Sequence, residues 1–155
     1  MIQEKPSEGR AMETSSVEQQ TFHYFQSGFH CAEAISKAIL EFHAGEQIAA
    51  LPRIASGFGG GIGKSKEDVC GALSGGIIAI GYLYGRMNSD EDLQKVMEVS
   101  AEFRKRFIQE AGSTNCAVIL QRFGDQENMM KCKRMTVRAA KILSDLLKER
   151  ECDLK

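Results

Sequence analysis

Residues 57–85 read GFGGGIGKSKEDVCGALSGGIIAIGYLYG, and the fold turns on how this stretch is read. It opens with five glycines in seven residues: Gly57, Gly59, Gly60, Gly61 and Gly63. A charged patch follows over 64–68, then Cys70, and no further charge appears until Arg86. From 69 to 85 the chain is apolar nearly all round, the signature of a buried helix rather than a surface one. Gly71 and Gly75 are four apart, as are Gly81 and Gly85, so they share helix faces that lack bulk. Each glycine costs roughly 1 kcal/mol against alanine, which close packing must offset. A strand over 77–84 is the alternative, since isoleucine and tyrosine favour strands. A membrane span is excluded because the run falls short of the ~20 apolar residues that a bilayer requires.

The glycine loop is not a phosphate loop. A P-loop needs glycine five positions before its Gly-Lys pair, and Phe58 stands there. The dinucleotide pattern fails too, because its third glycine would fall on Ile62 or Lys64. Glycine here serves positive φ and close backbone approach. A secondary reading has Gly59, Gly60 and Gly61, with Gly71, folding over a group bound beside Cys70.

Working outward, residues 1–14 are polar, carry Pro6 and Gly9, and are expected to be a disordered tail. Ser15 and Glu18 have capping-box spacing, opening a helix over 17–27. A second helix starts near Cys31, with Ala34, Ile35, Ala38, Ile39 and Phe42 at helical spacing, and ends at Gly45. Residues 46–56 read as a short helical stretch with Pro52 at a break or first turn. After the central helix, residues 88–90 offer a cap. Leu93, Val96, Met97, Ser100, Phe103 and Phe107 then form one face of a long helix closed by Gly112. A short helix over 116–123 is closed by Gly124. A last one covers about 127–150, with Met135, Ala139, Ile142, Leu143, Leu146 and Leu147 inward. Residues 151–155 form a tail. The expected fold is all-α: one domain, 15–150, a bundle of five to six helices around the glycine-rich central one. Its glycine surface could also serve a homodimer.

A chain of 155 residues with 43% apolar and 26% charged residues is an ordinary single domain. Net charge −1 gives no general attraction to nucleic acid, and no membrane insertion is expected. With no signal-peptide core near the N-terminus, the expected location is cytoplasmic. Five cysteines are too few for a disulfide scaffold of this size, and in a reducing compartment they point to metal binding or redox chemistry.

Cys31, Cys70 and Cys116 each fall in the first turn of an expected helix, where unpaired N–H groups and the positive dipole end favour thiolate. Cys132 is flanked by Lys131, Lys133 and Arg134. Cys152 lies in the charged tail and is set aside. With Lys64 and Lys66 upstream, helix placement brings Cys70 toward a pKa of about 7, provided burial does not oppose it. Cys-x-x-Cys is absent, so thioredoxin-type pairs, c-type haem attachment and zinc-ribbon pairs are excluded. Any shared site is therefore assembled by the fold. His23, His30 and His43 are candidate further ligands or bases, His30 foremost because it precedes Cys31.

Cys31, then Cys70-Gly71-Ala72-Leu73-Ser74-Gly75, then Cys116 and Cys132, with GFGGGIG before the central motif, resembles the C_GCAxxG_C_C family of redox-active proteins. The resemblance covers roughly 17–147. It implies a small helical protein with a redox role. Related domains are fused to haem or other electron-transfer modules, where the cysteines hold an iron–sulfur centre. His30 departs from the asparagine expected before the first cysteine.

Three functions remain open on the residues. The first is a redox protein in which Cys31, Cys70, Cys116 and Cys132 ligate an iron–sulfur cluster or cycle between dithiol and disulfide, exchanging electrons with a partner protein. Four cysteines allow three pairings. The second is a structural zinc module. The third is a helical interaction protein with inert thiols. No motif specifies a substrate, so turnover is left open.

Overall fold

The computed structural model describes residues 15–45 and 51–152. Among these the fold is all-α, with six α-helices and one 3-10 segment. The expected tail over 1–14, the first part of the 46–56 stretch and residues 153–155 lie outside the described residues.

Helix α1 spans Val17–Gln26. Its cap is Ser16 with Gln19, not Ser15 with Glu18: Gln19 N–H donates to Ser16 Oγ, and Gln19 Oε1 accepts from Ser16 N–H. Both pairs fit the same spacing, and the choice falls where Val17 can be buried at the first helical position. Helix α2, Cys31–Ala44, ends at Gly45. The 3-10 segment Leu51–Phe58 leads into the glycine loop.

Helix α3, Gly71–Tyr84, is the glycine-rich helix, with Cys70 at its N-cap. It packs mainly on α2. A methyl on Gly75 would overlap the Ala32 carbonyl, and one on Gly76 would overlap the Phe103 ring. The glycine face is thus filled from within the chain. Gly81 is different: nothing lies within 4 Å of the place its Cβ would take. The C-terminal part of α3 emerges to solvent, with Tyr82 50% exposed. Helix α2 buries eight residues and α3 seven, so the centre is the α2–α3 pair rather than α3 alone.

Helix α4, Gln94–Ala111, starts later than the 88–90 cap suggests; Asp92 Oδ1 accepts from Gln94 N–H. Its inward stripe is Val99, Phe103, Phe107 and Ala111, and Met97 is exposed. Gly112 closes it in the left-handed conformation, φ 81°. Helix α5 is Cys116–Phe123 and α6 is Met130–Cys152. Along α6, Met135, Ala139, Ala140, Leu143, Leu146 and Leu147 are buried against α1, α2 and α4. The Arg106 guanidinium ties α4 to α6 through both Glu149 oxygens, at 3.0 and 2.8 Å. No helix among the described residues is long and apolar enough to cross a membrane.

Candidate functional site

The cysteines lie at the starts of four helices. Cys31 and Cys116 are the first residues of α2 and α5, Cys70 caps α3, and Cys132 is the third residue of α6. Helix starts expose unpaired N–H groups and the positive dipole end. All four cysteines line one cavity of about 360 Å³. Its wall is otherwise mostly apolar: Ile119, Leu120, Phe123, Met129 and Met135 face the thiols.

Local structure explains how residues so far apart in sequence meet. A single antiparallel bridge joins Val69 to Asn115. Cys70 N–H donates to the Thr114 carbonyl and Cys116 N–H to the Asp68 carbonyl, each at 2.7 Å. This fixes the start of α3 against the start of α5. Asn115 serves both sides, capping α5 at Val118 N–H and donating to the Glu67 carbonyl at 2.5 Å. Gln126 holds the start of α6. Its Oε1 accepts from the N–H groups of Lys131 and Cys132, and its Nε2 donates to Cys132 Sγ at 3.2 Å.

The glycine loop packs over these helix starts. It runs left-handed through Gly60, Gly61, Ile62, Gly63 and Lys64, with φ between 58° and 75°. Gly60 and Gly71 line the cavity. Gly59 and Gly61 back it: a methyl on Gly59 would sit 2.9 Å from His30 Cβ, and one on Gly61 would sit 2.7 Å from Cys116 Cβ. At Gly71 a methyl would overlap Cys31 Sγ and reach 3.1 Å from the Phe58 carbonyl. These close approaches explain glycine at these positions.

All four thiols are shifted toward the neutral form. Burial pushes Cys70 up to about 12, with the neighbouring Cys31 and Cys116 adding to it and the Ala72 and Leu73 N–H groups opposing. Cys31 is raised by burial, against N–H groups of Gly60, Ala32, Gly71 and its own residue directed at its sulfur. Cys116 is raised by burial and by Cys31 and Cys132, and lowered by the Lys66 cation. Cys132 is raised by burial and lowered by the Gln126 hydrogen bond and Lys66. The low pKa expected for Cys70 is therefore corrected. Desolvation outweighs the helix terminus, and Lys66 acts on Cys116 and Cys132 instead.

None of the four cysteines is in a disulfide. Among the described residues, no three His, Cys, Asp or Glu side chains are disposed around a single point as a metal ion requires. The donor set nonetheless fits an iron–sulfur cluster in kind: four thiols, backbone N–H groups directed at sulfur, and a cavity with room for an occupant. The histidines stand apart from it. His30 N–H donates to Glu33, and His43 Nε2 lies 3.1 Å from Ser144 Oγ. Sequence reading missed Gln126 and the apolar wall. Gln126 carries no local signal, since it lies in a loop and its role depends on where α6 begins.

The family model described as "Putative redox-active protein (C_GCAxxG_C_C)" matches residues 29–146, a span that contains all four cavity cysteines, and the chain belongs to that family. No curated protein and no solved structure matches the chain.

Proposed function

We propose that this member of the C_GCAxxG_C_C family is an electron-transfer protein whose Cys31, Cys70, Cys116 and Cys132 hold an iron–sulfur cluster. The observation that carries the reading is that four thiols from four helix starts line one cavity of about 360 Å³. Protein interiors are close-packed, so a mostly apolar space of this size lined by four thiols calls for an occupant. A dithiol–disulfide couple alone would not need it. A bound cluster supplies reversible one-electron transfer.

The chain's own groups prepare the site. Neutral thiols lose their protons when a cation binds, because the cation inverts the local preference. The N–H groups around Cys31 and Cys70 and the Gln126 amide then donate to thiolate sulfur. Such donors stabilise the more negative state. Ile119, Phe123 and Met135 keep water from the sulfur atoms. Electrons are exchanged with a redox partner protein.

A second reading has two of the thiols forming a disulfide, releasing two protons and passing two electrons to an oxidised thiol–disulfide partner. It is favoured by the absence, among the described residues, of three ligands poised around one point. Anaerobic purification and reconstitution with iron and sulfide separates the two. Broad visible absorption with stoichiometric iron and sulfide supports the cluster. A colourless protein holding one zinc indicates a structural metal site. A metal-free protein that loses two alkylatable thiols on mild oxidation supports the disulfide couple.

A further inference from the structure

One charged residue lines the cavity beside the four thiols. Among the described residues lining the cavity, Lys66 is the only charged one. It lies in the loop at φ 61°, a left-handed conformation that lysine rarely adopts. Its N–H donates to the Gly60 carbonyl at 2.8 Å, and the Gly60 N–H is in turn directed at Cys31. Packing presses on the same turn: a methyl on Gly61 would lie 3.2 Å from Lys66 Cα and 2.7 Å from Cys116 Cβ. The loop thus holds the Lys66 backbone near the α5 start, with the residue itself exposed. The side chain forms none of the salt bridges found among the described residues. Lys66 therefore brings a positive charge to the cavity that Cys116 and Cys132 also line.

We infer that Lys66 is a positioning charge that sets the reduction potential of the four-cysteine site. The inference rests on the cluster reading proposed above. Reduction adds one electron from an external donor, with no bond made or broken, so the reduced site is more negative by one charge. A cation beside the site stabilises that state and raises the potential.

The test is a dithionite titration of the reconstituted protein under anaerobic conditions, followed in the visible spectrum, with iron and sulfide measured in every sample. Lys66→Gln removes the charge. Lys66→Gly removes it while relieving the backbone. Lys66→Arg keeps it. Lys64→Gln alters a neighbouring left-handed lysine that does not line the cavity. Lys66→Gln and Lys66→Gly should load normally and favour the oxidised state by a few-fold to tenfold, a fall of up to about 59 mV for a one-electron couple. Lys66→Arg and Lys64→Gln should match wild type. Loaded Lys66→Gln and Lys66→Gly proteins at the wild-type potential would overturn the inference and leave the cluster reading intact. An equal shift in all four variants would overturn it too, since backbone change would then be the cause. Wild-type protein that takes up neither iron nor sulfide would overturn both.

Discussion

Gly71 shows how tightly single residues are set around the thiols. It follows Cys70, starts α3 and leaves no room for a methyl beside Cys31 Sγ. Gly71→Ala should therefore lower stability by about 1–3 kcal/mol, as overpacking does. Gly81→Ala in the same helix should raise it by about 0.5–1 kcal/mol, because its side is open and alanine favours helix. Urea midpoints of the two variants should move in opposite directions. Cys70 gives a second prediction at this scale. Its thiol is held neutral, with a pKa pushed from 9.0 to about 12. A raised folded pKa contributes stability that is complete below the unfolded value and lost as pH rises through the folded one. Metal-free, reduced protein should therefore lose stability between about pH 9 and 12, by up to about 1.4 kcal/mol per pH unit from this group. Urea unfolding of wild type and Cys70→Ala across that range checks it: the variant should show the shallower fall. At pH 8, Cys70 should also be alkylated more slowly than Cys116 and Cys132. Sequence placed Cys70 at a helix start, but the depth of its burial depends on α2 and the loop, which local patterning does not encode.

At the scale of elements, the best-read helix was α5, because Gly112, Asn115 and Gly124 mark the surrounding breaks. Helix α4 was read with most of its stripe in place: Phe103 and Phe107 are buried and Val96 packs against the core, but Met97 is exposed and Val99 is buried instead. The Gly76–Phe103 contact fixes the rotation of the helix. The Val69–Asn115 bridge lay beyond sequence reasoning, since two residues far apart in the chain give no pattern. Asn115 makes this bridge testable. Asn115→Ala loses the α5 cap and the bond to Glu67, and should cost about 1 kcal/mol or more. Asn115→Asp keeps a cap acceptor but loses the donor to Glu67. Its thermal stability should stay closer to wild type, while a reconstituted site should release iron to a chelator faster. Equal chelator resistance in both variants and wild type would show that the bridge does not position Cys70 and Cys116.

Across the whole molecule, the all-α class and the order of helices were legible because apolar spacing and glycine stops are local signals. Convergence of the cysteines was expected from their shared place at helix starts, but its geometry was not legible, since the 39-, 46- and 16-residue gaps between them constrain nothing by themselves. It arises from packing: α2 lies on α3, α6 runs back across α1 and α2, and the bridge pins α5 to the start of α3. Four helix starts then face one space. The central claim is that these four thiols act as one site, and anaerobic reconstitution of the five single Cys→Ser variants tests it most directly. Cys31→Ser, Cys70→Ser, Cys116→Ser and Cys132→Ser should each lose most of the visible absorption and bound iron, while Cys152→Ser should match wild type. Wild-type iron and absorption in two or more of the first four would contradict a single four-cysteine site.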